Sequence, residues 1–165
     1  MRSGEASPQG FSLRGFELRD LEAVIRINMS TLPENYTREF YLDLYRGFPE
    51  GFLVAEVDGQ VVGYIMCRLE WGFDVARLRA MRRGHIVSIA VLQAFRRRGI
   101  GEALLQQALA AMRDRACEEA FLEVRVSNEP AIALYRKLGF SISKRLPGYY
   151  RDGEDAYEMV KPLRA

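Results

Sequence analysis

Three arginines and two glycines lie close together between an apolar, strand-like segment and a helical one, in the run Arg96, Arg97, Arg98, Gly99, Ile100 and Gly101. A strand that enters a glycine-containing turn before a helix leaves backbone N–H groups unpaired, and the helix dipole adds partial positive charge there. Such a turn can bind a phosphate group. The spacing Arg-x-x-Gly-x-Gly differs from the dinucleotide fingerprint and from the P-loop. Taken alone, these residues also fit a solvated charge run or a nucleic-acid-binding patch.

Few side chains are candidates for proton transfer. His85 is the only histidine, and it begins a predicted strand that should neighbour the strand carrying Glu123. Alternation along that second strand places Glu123 on the face opposite Leu122 and Val124, so a salt-bridged surface carboxylate is an equally good interpretation. An ordinary structural histidine is likewise an alternative for His85. Glu34 precedes a predicted helix, where a surface carboxylate is the alternative to a functional one.

The elements that must position these residues begin with a strand and two helices. Apolar residues at near-helical spacing predict the first helix, and Thr37 is placed to cap the second. Asp58-Gly59 is a turn pair typical of a hairpin. The predicted elements of this half are a strand at Phe11–Phe16, helices at Asp20–Thr31 and from Thr37 to near Pro49, and hairpin strands at Phe52–Val57 and Gln60–Trp71.

The second half alternates strands and helices. Gly72–Arg83 carries four arginines and little β signal, and we expect an exposed loop there. Pro130 suits a helical first turn, and Gly139 suits a left-handed helix end. The remaining predicted elements are strands at His85–Val91 and Phe121–Val126, helices at Gly99 to about Arg115 and Pro130–Leu138, and closing strands at Ser141–Tyr150 and Ala156–Leu163. This order indicates a mixed sheet with helices on both faces.

Composition favours one compact domain. The chain has 165 residues, 48% of them hydrophobic, and a formal net charge of only +2, so no strong overall field favours nucleic acid or membranes. We expect a disordered tail at residues 1–10 and a single domain at 11–165. Cys67 and Cys117 are predicted to be buried, reduced thiols. Without a signal peptide or an apolar run long enough to span a bilayer, a cytoplasmic location is expected.

The Arg-x-x-Gly-x-Gly turn resembles the signature with which the GNAT superfamily of N-acetyltransferases holds the pyrophosphate of acetyl-CoA. This resemblance implies an α/β (mixed α+β) fold with about seven strands, mostly antiparallel, and about four helices on both faces. It also implies acetyl-CoA as cosubstrate and no metal. The resemblance places the backbone of Ile89, Ala90 and Val91 along the pantetheine arm and thioester, with Asn128 and Tyr135 on the cofactor's other side.

Four segments narrow the resemblance: LPENY from Leu32, GHIVSIAV from Gly84, LEVRVSN from Leu122 and GYYRDGEDAY from Gly148. They are similar to protein N-terminal acetyltransferases, most of all to archaeal stand-alone enzymes related to the catalytic subunit of the eukaryotic NatA complex. Glu123 stands where the eukaryotic relatives have histidine. The resemblance implies protein N-termini as substrates, bound by Leu32, Pro33, Glu34, Tyr36, Tyr149 and Tyr150.

The implied reaction is direct attack of the amine on the thioester in a ternary complex. The candidate catalytic residues are Glu34, His85, Glu123 and Tyr135. We favour water-mediated removal of the amine proton by His85 with Glu123. Tyr135 resembles the tyrosine proposed in this superfamily to protonate the departing thiolate. The enzyme is expected to act as a monomer without an auxiliary subunit, a specific nucleic acid or a membrane. The alternatives are acetylation of lysine, a small amine or ribosomal-protein N-termini, a non-catalytic acyl-CoA sensor, and an RNA-binding module using Arg77–Arg83 and Arg96–Arg98.

Overall fold

The computed structural model describes residues 10–164. The tail predicted at residues 1–10 therefore lies, except for Gly10, outside the described residues. Within them the helices and strands follow in the order β1 Ser12–Gly15, α1 Leu21–Thr31, α2 Arg38–Gly47, β2 Leu53–Val57, β3 Gln60–Asp74, β4 Arg79–Val91, α3 Ile100–Asp114, β5 Glu119–Arg125, α4 Glu129–Lys137, β6 Ser141–Leu146 and β7 Ala156–Pro162. Short 3-10 turns lie at Leu18–Asp20, Pro49–Gly51 and Gln93–Phe95.

The strands form one seven-stranded sheet in the order β1-β2-β3-β4-β5-β7-β6. Pairing is antiparallel for β1 with β2, β2 with β3, β5 with β7 and β6 with β7, and parallel for β4 with β5. The parallel ladder joins Arg83–His85 to Glu119–Phe121. The mixed, mostly antiparallel sheet and the four α-helices of residues 10–164 confirm the predicted fold class.

Residue contacts divide the chain into two compact units. The first takes the residues up to Arg68 together with Ser88–Ala111, and the second takes Leu69–Val87 with Met112 and the residues that follow. Strand β4 passes from the second unit into the first between Val87 and Ser88. No helix within residues 10–164 has the length and apolar character needed to cross a membrane.

Turn and capping residues in the sequence correctly predict where several helices and strands begin or end. Asp58 and Gly59 both have positive φ, 50° and 76°, as the hairpin turn requires. Thr37 caps α2 by accepting a hydrogen bond from the Phe40 N–H. Gly139 ends α4 with a φ of 97°. Cys67 and Cys117 are buried and free, as predicted.

The prediction of an exposed loop at Gly72–Arg83 is wrong, because β3 runs on to Asp74 and β4 begins at Arg79, leaving a four-residue turn. The arginines that weakened the β signal are neutralised across the strands: Arg79 bonds Glu118, and Arg83 lies 2.6 Å from Glu119. Gly72 leaves room for Arg83, since an added Cβ would meet its Cδ at 2.5 Å. Charge pairing therefore sustains a strand that sequence patterning alone did not predict.

The predicted strand at Ser141–Tyr150 is shorter in the structure, because β6 ends at Leu146. Pro147 follows and has no N–H to donate to a ladder. The Gly148 N–H instead bonds the Asp155 carboxylate at 2.8 Å. The residues from Gly148 therefore belong to a turn rather than a strand.

A buried carboxylate in the first unit makes stability depend on pH. Burial would raise the pKa of Asp20, but hydrogen bonds from Arg14 and from the Glu17 N–H outweigh it and hold that pKa below its usual value. A lowered folded-state pKa stabilises the protein above the unfolded pKa, and this contribution is lost as the pH falls through the folded pKa.

We expect Asp20→Asn to lower the free energy of unfolding near pH 7 by about 2 kcal/mol, because Arg14 loses its bidentate partner but keeps Glu56. The difference from the wild type should shrink as the pH falls through the lowered folded-state pKa of Asp20, where the wild-type carboxylate takes up a proton. Urea unfolding at several pH values measures this; a constant difference across the range would contradict it.

Candidate active site

His85 lies between two carboxylates in the second unit. Its Nδ1 is 2.7 Å from Glu70 Oε2, and its Nε2 is 2.7 Å from Glu123 Oε1. Both the histidine and Glu123 have side chains only 13% exposed. The Phe121 ring stacks on the imidazole, with centroids 4.3 Å apart and planes 12° from parallel. Glu123 is therefore not a solvated surface carboxylate, and His85 is fixed in orientation by contacts on three sides.

The geometry of this trio requires a proton in each of its two contacts. An ionised carboxylate can only accept a hydrogen bond, so each of the two 2.7 Å contacts requires a proton between the ring nitrogen and its carboxylate. The trio Glu70–His85–Glu123 therefore shares at least two protons when both hydrogen bonds are formed. Neither ring nitrogen of His85 has a lone pair to spare in this state, so a carboxylate oxygen is the more available acceptor for another proton.

Tyr149 and Tyr150 belong to the same unit as this trio, and Tyr149 contacts Glu123 directly. The Tyr149 hydroxyl donates to Glu123 Oε1 at 3.3 Å, and its ring meets Tyr150 edge to face at 5.0 Å. The Arg125 guanidinium lies 4.1 Å from the Tyr150 ring centroid and also bonds Asp152 and Glu154 at 2.8 Å. The turn after β6 is thus tied to β5, and the structure brings together His85, Glu123 and Tyr149 as candidate site residues.

The candidate phosphate-binding turn belongs to the first unit. Arg97 and Gly99 both have left-handed backbone, with φ of 64° and 83°, and α3 begins at Ile100. The helical ladder starts with the Ala103 N–H donating to the Gly99 carbonyl at 3.0 Å. Left-handed residues in a turn of this kind help successive backbone N–H groups to point at one anion. The Arg96 side chain folds back on the Val91 carbonyl at 3.0 Å, which ties the turn to the end of β4.

The segment Leu32–Tyr36 also belongs to the first unit and connects α1 to α2 without regular secondary structure. The Glu34 carbonyl accepts a hydrogen bond from the buried Asn28 amide at 3.0 Å. The Tyr36 ring stacks on Phe40 with centroids 4.8 Å apart. Glu34 therefore lies in the first unit and the trio in the second, and a catalytic role for one does not imply a role for the other.

Asn128 precedes α4 as its N-cap and Tyr135 lies on α4, both in the second unit. The Asn128 side chain caps this helix by accepting from the Ala131 N–H at 3.3 Å, a structural task that the sequence reasoning did not assign to it. Tyr135 is buried, and burial raises the pKa of its hydroxyl to about 12. The phenol therefore stays protonated across the physiological range and acts as a hydrogen-bond donor.

Glu70 is the main residue that sequence reasoning missed. It lies three residues beyond Cys67, where the buried run of β3 ends, and next to Trp71, and nothing in its spacing distinguishes it from other strand carboxylates. Only the pairing of β3 with β4 brings it to the histidine. Sequence reasoning also missed Asn28, Tyr64 and Ser88, which lie on α1, β3 and β4 and form a buried polar cluster. Among residues 10–164 there is no group of three or more His, Cys, Asp or Glu side chains arranged to hold a metal ion.

Comparison with known proteins gives a consistent result. The profile of the Acetyltransferase (GNAT) family matches residues 21–140. The chain is 52% identical to an N-alpha-acetyltransferase of Sulfurisphaera tokodaii and 51% identical to one of Saccharolobus solfataricus, over 93% of both chains in each case.

Solved structures agree with these relatives. The fold is similar to Ard1 from Thermoplasma volcanium, with a TM-score of 0.83, 36% identity, and coverage of 94% of this chain and 99% of that one. It is also similar to Naa20 of Chaetomium thermophilum in complex with a bisubstrate analogue, with a TM-score of 0.81, 36% identity, and coverage of 92% and 86%.

The proton count of the trio can be measured directly, because the chain has only one histidine. We expect two hydrogen-bonded, slowly exchanging imidazole N–H signals in a ¹⁵N-resolved NMR spectrum near pH 7, since a ring nitrogen is more basic than a carboxylate oxygen. Glu70→Leu should make the proton on Nδ1 exchange rapidly with solvent. Glu123→Leu should do the same for the proton on Nε2. A single, rapidly exchanging N–H in the wild type would contradict the shared arrangement.

Proposed function

This chain belongs to the acetyltransferase (GNAT) family, and we propose that it transfers the acetyl group of acetyl-CoA to the free α-amine at the N-terminus of other proteins. The observation that carries the proposal is the Glu70–His85–Glu123 trio, an oriented acid–base group whose histidine lies on β4, the strand that continues into Ile89–Val91. Relatives at about half identity over almost their whole length, named N-alpha-acetyltransferases, support the choice of acceptor.

For the cosubstrate, we propose that the turn from Arg96 to Gly101 binds the pyrophosphate. Its left-handed residues and the start of α3 supply backbone N–H donors, and its arginines supply charge-assisted ones. The thioester of acetyl-CoA supplies the acetyl group. Backbone N–H groups of Ile89–Val91 would stabilise the charge that develops on the thioester oxygen, and Asn128 and Tyr135 would contact the cosubstrate from α4.

For the acceptor, we propose that Leu32, Pro33, Glu34 and Tyr36 of the first unit contact the first residues of the peptide. For the second unit, we propose separately that Tyr149 and Tyr150 contact a peptide substrate. Tyrosine suits this task, because its ring covers apolar side chains while its hydroxyl bonds peptide groups. Tyr149 is 49% exposed although it bonds Glu123, so it has surface left for a ligand. Glu34 would attract the positively charged α-amine.

Proton removal from the amine needs only moderate help. An α-amine has a pKa near 7.7–8.0, so about a tenth to a sixth of it is neutral near pH 7. Because both nitrogens of His85 are already hydrogen-bonded, we propose that Glu123 accepts the proton, directly or through a water, and that His85 and Glu70 stabilise the result. Glu34 is the alternative acceptor.

Tyr135 is a hydrogen-bond donor in this scheme rather than the acid that protonates the departing thiolate. Its pKa of about 12 lies well above the value near 8.5 of an ordinary thiol. Complete proton transfer would therefore cost about 5 kcal/mol. A hydrogen bond to the sulfur still disperses its charge, and the thiolate is a good leaving group without protonation.

Two rivals lead to different outcomes in one assay. A lysine or small-amine acetyltransferase would keep the cosubstrate residues but use other acceptors, and an acyl-CoA sensor would bind without turnover. The test follows thiol release from acetyl-CoA with peptides that start with Ser, Ala, Met-Leu or Met-Glu and lack lysine, each with a free or a blocked α-amine. Turnover only with free α-amines is expected. Turnover in a parallel set of blocked peptides that do carry a lysine, or no turnover despite acetyl-CoA binding, would contradict the proposal.

We also propose that the enzyme acts as a monomer, without an auxiliary subunit; ribosomal-protein N-termini are the alternative class of acceptor. Light scattering on the active fraction of a single-chain preparation tests the first point. Activity confined to an oligomer would contradict it.

Removing the proposed base should change the pH profile. We expect Glu123→Gln to lower kcat/KM near pH 7 by about 10²-fold or more, with partial recovery towards about pH 9 as the amine loses its proton unaided. His85→Ala should also lower kcat/KM near pH 7, with partial recovery at higher pH. Glu119→Gln is the matched control, because Glu119 lies on the same face of β5 and pairs with Arg83 instead. Parallel pH profiles for Glu123→Gln and Glu119→Gln would contradict a proton-transfer role.

A further inference from the structure

Three polar side chains of the first unit are buried and joined by hydrogen bonds. Asn28 on α1 and Tyr64 on β3 are 0% exposed, and Ser88 on β4 is 6% exposed. The Asn28 Nδ2 group donates to the Tyr64 hydroxyl at 3.0 Å, and the Tyr64 hydroxyl lies 2.7 Å from Ser88 Oγ. We call Asn28, Tyr64 and Ser88 the buried relay.

The relay ends on the segment that connects α1 to α2. The second hydrogen of Asn28 Nδ2 goes to the Glu34 carbonyl at 3.0 Å, while Asn28 Oδ1 accepts from the Asn35 amide at 3.0 Å. A carbonyl can only accept, so the Glu34 contact fixes which way the Asn28 amide faces. Both hydrogens of the amide are used, one towards the segment and one towards the sheet.

The connecting segment depends on such support. It has no strand partner, and Pro33 cannot donate a backbone hydrogen bond. Asn35 Nδ2 also bonds the Leu32 carbonyl at 3.2 Å, which closes the segment on itself around Asn28. A buried amide whose donors are lost leaves unsatisfied polar groups at a cost of about 1–3 kcal/mol, so the segment is held firmly in one conformation.

The other end of the relay lies on β4. Ser88 immediately precedes Ile89–Val91, the residues proposed to contact the thioester, and all of these belong to the first unit. A hydrogen-bonded path of three side chains thus connects the carbonyl of Glu34 to the strand of the cosubstrate.

We propose that Asn28, Tyr64 and Ser88 are positioning residues that fix the Leu32–Tyr36 segment for binding of the acceptor N-terminus. This inference rests on the proposed function. The relay touches neither substrate; it sets the backbone that carries Glu34 and Tyr36. Its loss should therefore weaken acceptor binding and leave acetyl-CoA binding intact.

Tyr64→Phe is the central test, because it removes one hydroxyl and keeps the ring that fills the core. The chain offers a matched control in Tyr41, which is also 0% exposed in the first unit but whose hydroxyl has no hydrogen-bond partner among residues 10–164. Tyr41→Phe removes the same group from an equally buried ring without breaking a hydrogen bond. Circular dichroism and thermal melting establish that both variants are folded.

We expect Tyr64→Phe to raise KM for a Ser- or Ala-starting peptide by about fivefold to tenfold, the effect of losing one hydrogen bond. The Kd for acetyl-CoA should stay within about twofold of the wild type. Tyr41→Phe should leave both constants within about twofold. Asn28→Leu should raise the peptide KM further, and adding Tyr64→Phe to it should have little additional effect, because both act through one path.

Equal peptide KM values for Tyr64→Phe and Tyr41→Phe would overturn the inference, because the hydrogen bonds of Tyr64 would then have no effect on acceptor binding. A parallel loss of acetyl-CoA affinity in Tyr64→Phe would overturn it as well. Wild-type protein that transfers acetyl groups to no N-terminal peptide would instead contradict the proposed function, so the two failures are distinguishable.

Discussion

The clamping of one histidine between two carboxylates is the constraint on which the chemistry depends. His85 is mostly buried, stacked on Phe121, and bonded at both nitrogens. Burying three ionisable groups is costly unless protons and charges are shared among them. The sharing joins β3, β4 and β5 through a single cluster, which the proposed mechanism uses as its proton acceptor.

The segments proposed to bind the cosubstrate and the acceptor have irregular backbone, and neighbouring helices and strands support them. The turn before α3 has left-handed backbone at Arg97 and Gly99, and the Leu32–Tyr36 segment depends on a buried amide rather than on a ladder. Such conformations persist only where surrounding contacts determine them. The sheet and helices supply that rigidity, while the exposed Tyr149 and the arginines of the turn remain accessible to ligands.

Local chemistry made much of the fold predictable, because Asp58-Gly59, the Thr37 cap and Gly139 each act through their own backbone. The hairpin arm beyond Trp71 was not predictable, since it depends on arginines paired with acids from a distant segment. His85 and Glu123 were found from residue type and family resemblance. Glu70 and the buried relay were missed because only tertiary packing, of β3 with β4 and of α1 with the sheet, brings them to their partners.

Mass spectrometry of one peptide that carries both a free α-amine and an internal lysine tests the central claim most directly. After incubation with acetyl-CoA and the purified protein, fragmentation locates the added acetyl group. Acetylation of the α-amine alone is the expected result, because the α-amine is partly neutral near pH 7 while lysine, with a pKa near 10.4, is almost fully protonated. An acetyl group found mainly on the lysine would contradict the assignment of this chain as an N-terminal acetyltransferase.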